Sequence, residues 1–354
     1  MKLGNWILRF FDKEPRVEEK TVRQRGAATH VIILDGTNSS LRPEEETNAG
    51  LIYKLLRENG YSANMTLYYE AGIQWKDWTE TFSVVAGRGI NRQIERAYGA
   101  LCSRWREGDD IVLIGFSRGA FAVRSLAGVI DRVGLVRSHH ANERNIRQAY
   151  RYYSQGASSS YATKFSELHC TRDVTISALG CFDTVKSLGL RVPLLWKLEE
   201  ERHSFHSDGL VPAVKSAFHA LALHENRDVF TPEIWKTPEN WTGVIEQAWF
   251  RGSHGDVGGH ITPFTSARPL SNIPLVWMLE KLGNHGLPLP AGWRQQFPCD
   301  PDAPDVGLWV GWGKLFLLRH KRIPCTDPSE FIHETAELPP PPRHWFLGFR
   351  MRKS

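Results

Sequence analysis

The chain has 354 residues, with 41% hydrophobic and 23% charged residues and a formal net charge of +5. That is an ordinary globular balance, and the length can bury a large core without metals or disulfides. Lys and Arg are scattered, with no long block away from the two termini, so charge does not point to nucleic acid as a partner. Cys102, Cys170, Cys181, Cys299 and Cys325 are odd in number and contain no C-x-x-C pair, which argues against a disulfide framework and a zinc site.

The opening "MKLGNWILRFFDKEPR" is cut by Arg9 and followed by no small-residue cleavage site, and no apolar run reaches the length of a membrane span. The expected location is the cytoplasm, with membrane association or export without a cleavable signal as the alternatives. Residues 1–26 read as a tail, 27–335 as the folded domain, and 336–354 as a Pro-rich spacer and basic-aromatic tail.

Taken in chain order, "HVIILDGT" predicts a strand ending in an Asp-Gly turn, and "NAGLIYKLLREN" a helix. "ANMTLYYEAGI" predicts a strand, "GINRQIERAYGALCSRW" a helix, "DDIVLIGFS" a strand and "RGAFAVRSLAGVIDRVGL" a helix. Ser138 to Arg172 is a polar, Tyr-containing segment with no assigned element. "VTISALGCFDTV" then predicts a strand, "LVPAVKSAFHALAL" a helix, "IEQAWFRGSHGDVGG" a strand with a Gly-rich turn, and "NIPLVWMLEKLGNHG" a helix. The alternation implies an α/β fold, a mostly parallel sheet with helices on both faces.

Chemistry concentrates at Gly115-Phe116-Ser117-Arg118-Gly119. A G-x-S-x-G pentapeptide is weak alone, but here it lies between an apolar strand and an amphipathic helix. That is the setting in which a sharp turn exposes a serine hydroxyl above a sheet. The competing reading is a solvated serine in a tight turn. A serine nucleophile needs a base, and in the α/β-hydrolase order an acid and then a histidine follow it, each at a strand end. Asp183 and His254 occupy such turns, and Asp256, two residues beyond the histidine, is the alternative acid. The oxyanion donors expected are the N–H of Arg118 and that of Gly36 or Thr37 in the loop after the first strand. Asp35 reads as a residue that ties this loop. His219 and His224 are five apart on the expected helix, a spacing that does not stack two ligands, and read as structural.

Six stretches in fixed order carry a resemblance: "ILDGTNSS", "LYYEAGI", "GFSRGAFAVRSLAG", "CFDTVKSLG", "HALALHENR" and "WFRGSHGDVGGH". Together, over about residues 28 to 285, they resemble the α/β-hydrolase domain family typified by the phospholipase effectors of type VI secretion systems. The resemblance implies Ser117, Asp183 and His254 as the triad. Gly255 after the histidine, and His224 where the family usually has Asp, depart from its pattern.

The function expected is a serine hydrolase that cleaves carboxylic esters, of phospholipids by the resemblance, through an acyl-enzyme and without metal or cofactor. The alternatives are a thioesterase or small-ester hydrolase, or an inactive hydrolase-fold binding module. A lipid or other ester is the expected partner. The apolar loop "KSLGLRVPLLWKLEEERHSFHSD" reads as a rim of the site or as packing. "RHWFLGFRMRKS" reads as a peripheral membrane contact or as a docked terminus. Nothing in the sequence fixes an oligomeric state.

Overall fold

The unbroken apolar runs of the sequence lie side by side in one sheet. A computed structural model describes residues 17–18, 26–58, 64–72, 84–185, 209–308 and 318–336. Its strands are β1 (Val17–Glu18), β2 (Thr29–Leu34), β3 (Met65–Glu70), β4 (Asp110–Phe116), β5 (Leu135–Val136), β6 (Cys170–Thr171), β7 (Ala178–Phe182), β8 (Ser216–Ala222), β9 (Val244–Phe250) and β10 (Glu330–Ile332). The helices are α1 (Asn48–Glu58), α2 (Val84–Arg104), α3 (Arg118–Val133), α4 (Glu143–Ser154), α5 (Ser160–His169), α6 (His254–Gly258) and α7 (Arg268–Gly283). The main sheet has the order β1-β3-β2-β4-β7-β8-β9-β10, while β5 and β6 pair by themselves. From β3 to β10 every pairing is parallel, and β1 joins β3 antiparallel.

Two apolar layers sandwich this sheet, and the strand period of two assigns residues to them. Ile32, Leu34, Ile111 and Leu113 face a layer built with Tyr98 of α2, Leu126 of α3 and Tyr153 of α4. Their neighbours Val31, Ile33, Val112 and Ile114 face the opposite layer, with Ile52 and Leu55 of α1 and Leu275 and Leu279 of α7. The fold is the α/β-hydrolase type, with helices on both faces. Among the described residues, no helix is long and apolar enough to cross a membrane.

Several stretches differ from the sequence expectation. "LVPAVKSAFHALAL" contains β8, not a helix. Its Ala and Leu content favours a helix in isolation, but all seven residues of Ser216–Ala222 are buried between β7 and β9. A strand covered on both faces loses its alternation, so tertiary context overrides propensity. The unassigned segment 138–172 holds α4 and α5, capped by the Asn142 and Ser159 side chains on the N–H groups of Asn145 and Ala162. The Gly-rich turn after β9 contains α6. Val17–Glu18, inside the expected N-terminal tail, pairs with Tyr69 and Tyr68. The loop 186–208 and the tail 337–354 lie outside the described residues.

Candidate active site

Parallel strands present their C-terminal ends on one edge, where loops from neighbouring strands converge. Here β2 ends before Asp35, β4 before Ser117 and β7 before Asp183, and these three strands are adjacent. β9 supplies His254 four residues past its end.

Ser117 sits between β4 and α3 with φ 57° and ψ −120°, a conformation that costs a non-glycine residue energy. Its neighbours explain how the turn is held. A Cβ on Gly115 would lie 2.6 Å from Ala120 backbone, and one on Gly119 would lie 2.0 Å from the Leu34 carbonyl oxygen. Both glycines are therefore needed for strand and helix to approach this closely. The Ser117 N–H donates to the Phe182 carbonyl at 2.9 Å, tying the turn to β7. Its hydroxyl does not cap α3.

That hydroxyl lies 2.9 Å from Nε2 of His254, whose Nδ1 lies 2.6 Å from Oδ2 of Asp183. The carboxylate can only accept at Nδ1, which assigns the proton to that nitrogen and leaves Nε2 as the acceptor facing Ser117. The imidazole stacks on Phe230, at 4.5 Å and 16° between ring planes, with Phe116 at 4.9 Å on another side. The His254 N–H donates to Glu225 Oε2 at 3.1 Å, and Glu225 in turn pairs with Arg227.

Asp183 is fully buried. Its Oδ1 accepts from the Ala222 N–H at 3.0 Å and from Arg322 Nη1 at 2.6 Å; its Oδ2 accepts from Arg322 Nη2 at 3.0 Å. Burial pushes this carboxyl up, but the Arg322 charge and the His254 hydrogen bond outweigh it and hold it well below the ordinary range. Asp256 is placed differently. Its Oδ2 accepts from the Ser253 N–H and hydroxyl, both at 2.7 Å, and its Oδ1 from the Val306 N–H at 2.8 Å. It closes a capping box on α6.

Of the expected oxyanion donors, Arg118 opens α3 directly after Ser117. The loop of Gly36 and Thr37 adjoins the same turn, since a Cβ on Gly36 would lie 3.4 Å from Ser117 Cβ. The Gly36 N–H donates to Asp35 Oδ1 at 2.7 Å. Asp35 ties the loop from inside, its Oδ2 accepting from Thr47 at 2.6 Å and Tyr69 at 2.8 Å. Burial raises its carboxyl to about 6, against the lowering effect of these donors.

His219, expected on a helix, lies in β8. Its Nε2 accepts from the Thr184 N–H at 3.0 Å, and burial, aided by the Arg124 charge, pushes it down to about 3. His224 accepts from the Gly252 N–H at 3.2 Å. Sequence reasoning missed Glu225, Phe230 and Arg322. The first lies in "HALALHENR", a stretch noted above but given no role, whereas Arg322 in "LRHKRIPC" carries no pattern that marks it. A cleft of about 630 Å³ beside the C-terminal end of α7, lined by Glu280, Lys281, Trp293 and Arg294 among others, contains none of the site residues. No three His, Cys, Asp or Glu side chains among the described residues are arranged to hold a metal ion.

The chain is similar to the Saccharomyces cerevisiae "Uncharacterized protein YEL023C", at 27% identity over 310 residues, or 77% of this chain and 42% of that protein. It therefore spans less than half the length of this relative. Among solved structures, it is similar to an uncharacterized protein from Pseudomonas aeruginosa, at 17% identity and TM-score 0.48 over 78% of this chain and 49% of that one. A Tle1 effector bound to the VgrG spike of the type 6 secretion system gives 16% identity and TM-score 0.32, over 70% and 57%. The esterase Est2 of Thermogutta terrifontis, with butyrate bound, gives 14% and 0.42, over 78% and 91%. Residues 29–281 match the family described as "T6SS, Phospholipase effector Tle1-like, catalytic domain", and the chain belongs to that family.

Proposed function

We propose that the chain is a serine esterase of lipase type acting on carboxylic esters of phospholipids. The observation that carries the reading is the unbroken hydrogen-bond path from Ser117 Oγ through both nitrogens of His254 to Asp183, at 2.9 and 2.6 Å. Membership of a family described by its phospholipase effectors supports the lipid substrate.

In this reading, Ser117 Oγ attacks the ester carbonyl as His254 Nε2 takes its proton. Asp183 keeps the imidazole in the productive tautomer and stabilises the imidazolium. The N–H of Arg118 and one from the loop of Gly36 and Thr37 meet the developing oxyanion. His254 then hands its proton to the leaving alcohol, and the acyl group stays on Ser117. Water, deprotonated by the same imidazole, attacks the acyl-enzyme and releases the fatty acid and the free serine. Phe116 and Phe230 shield the ring from solvent.

The test is fatty-acid release from mixed phospholipid liposomes by the purified chain and by Ser117→Ala. Release by the first and none by the second is expected. A folded parent chain that releases no fatty acid from any phospholipid and cleaves no soluble ester would overturn the reading. Peripheral contact of the C-terminal cationic and aromatic residues with an anionic surface belongs to the same proposal. A chain ending at Leu338 should bind anionic liposomes less at low salt while cleaving a soluble ester as before.

A further inference from the structure

Arg322 lies beyond residue 281, where the family match ends, yet its guanidinium meets the buried Asp183 carboxylate in a two-pronged ion pair, at 2.6 and 3.0 Å. We propose that Arg322 is a positioning residue for the reaction above: its fork holds Asp183 in the rotamer that meets His254 and offsets the carboxylate charge that the imidazole feels. The inference rests on the esterase reading.

Three partners give the fork this reach. With Arg322 in place, each Asp183 oxygen accepts two hydrogen bonds: Oδ1 from Ala222 N and Arg322 Nη1, Oδ2 from His254 Nδ1 and Arg322 Nη2. The same guanidinium donates to the Ala222 carbonyl at 2.8 Å and to the carbonyl of Phe230, the ring stacked on His254. One side chain thus fixes the acid, the end of β8 and the aromatic floor of the base. A lysine has no planar fork and cannot reproduce this geometry.

The segment carrying Arg322 is anchored to the histidine side. Leu318 accepts from the Asp228 N–H at 3.0 Å, His320 N–H donates to the Asn226 carbonyl at 2.7 Å, and Arg319 donates to the Asn226 side chain at 2.8 Å. Further on, Glu330 accepts from the N–H groups of Cys325, Thr326 and Asp327 and from the Trp249 indole, which ties the segment to β9.

The charges facing the imidazole explain why an arginine is useful there. Asp183 is paired with Arg322 and Glu225 with Arg227. His219 and His260 are both held below the ordinary histidine range by burial, and Arg124, whose charge acts on His219, lies over the Trp235 ring. Asp256 is occupied by Ser253 and Val306. His254 therefore faces two ion pairs in place of two bare carboxylates. Baring Asp183 would favour the imidazolium, which cannot take the Ser117 proton.

The test is the pH profile of kcat/KM on a soluble short-chain ester for the parent chain, Arg322→Gln and Arg322→Lys, with Ser117→Ala as control. For Arg322→Gln, the acid limb should move up by about one pH unit, with a plateau lower by about tenfold or more. Arg322→Lys keeps the charge but not the fork, so its limb should stay with the parent while its plateau falls. A lowered plateau with an unmoved limb in Arg322→Gln would reduce Arg322 to a structural role and overturn the proposal. If Arg322→Gln does not fold, Arg322→Lys decides alone, and a limb displaced from the parent sinks the idea. Hydrolysis by Ser117→Ala would instead overturn the underlying esterase reading. An inert Ser117→Ala beside an unmoved limb in a folded Arg322→Gln would overturn only the role given to Arg322.

Discussion

The serine side and the histidine side of the site are built in different ways. The turn at Ser117 is a local object: one strand, one helix and two glycines of a single pentapeptide, stitched to β7 by one N–H. The histidine side is assembled from Asp183, Glu225, Phe230, His254 and Arg322, which come from four widely separated stretches of chain. The first side stores backbone strain, while the second stores buried charge. A nucleophile needs a fixed direction, which strain over a rigid sheet supplies even though Ser117 itself is buried. A base needs a tuned charge environment, which only distant residues brought together can supply.

Breaking each side should therefore fail differently. The largest effect is expected from Ser117→Ala, which removes the attacking oxygen and leaves both glycines and the sheet in place. Its kcat should fall by about 10⁴ or more with an unchanged unfolding midpoint. Ester turnover measured beside thermal unfolding checks this, and substantial activity in a folded variant would refute the role of Ser117.

Asp183→Asn should cost both activity and stability. The wrong histidine tautomer accounts for a loss of about 10⁴ in kcat. Arg322, 5% exposed in its side chain, would also lose its partner, at about 3–5 kcal/mol. Asp256→Asn should lose about 1 kcal/mol, the scale of a helix cap, and little activity. Matched denaturation and kcat/KM measurements separate the two, and the reverse ranking of activities would transfer the acid's role to Asp256.

Gly119→Ala tests the strained side alone. Its Cβ would enter the space of the Leu34 carbonyl, so a loss of about 1–3 kcal/mol or more is expected from overpacking. Stability equal to the parent would show that strand and helix have room to spare.

These differences also explain what could be read from sequence. Strands β2, β3, β4, β7 and β9, and the turns that carry Ser117, Asp183 and His254, were legible, because apolar runs ending in short turns make a local signal. β8 was misread because a strand buried on both faces has no alternation, and "KSAFHALAL" is rich in helix-favouring Ala and Leu. Arg322 was invisible, since its partner lies 139 residues away and nothing near it marks a buried cation. Glu225 was visible as a motif but not as a role, because its contact with the His254 N–H depends on how β8 and β9 align.

A further effect, on stability alone, concerns pH. Asp35 is raised from 3.8 to about 6 in the fold, so the folded state binds its proton more tightly than the unfolded chain. Its contribution to stability is therefore full below about pH 4, declines as pH rises to about 6, and is flat above. The decline is at most about 3 kcal/mol. Asp183, held below its ordinary value, acts in the opposite sense and in a separate window, losing its contribution only as pH falls below about 4. Denaturant unfolding of the parent and Asp35→Asn at pH 4.5 and 7.5 checks this. The variant should show less of the decline, and an identical decline in both would assign it to other groups.

The most direct test of the central claim is covalent. The purified chain is treated with a fluorophosphonate at neutral pH, digested, and mapped by mass spectrometry. The account predicts one phosphonyl adduct on the peptide carrying Ser117, absent in Ser117→Ala and formed far more slowly in Asp183→Asn. A folded parent chain that takes no adduct, or takes it on a different serine, would contradict it.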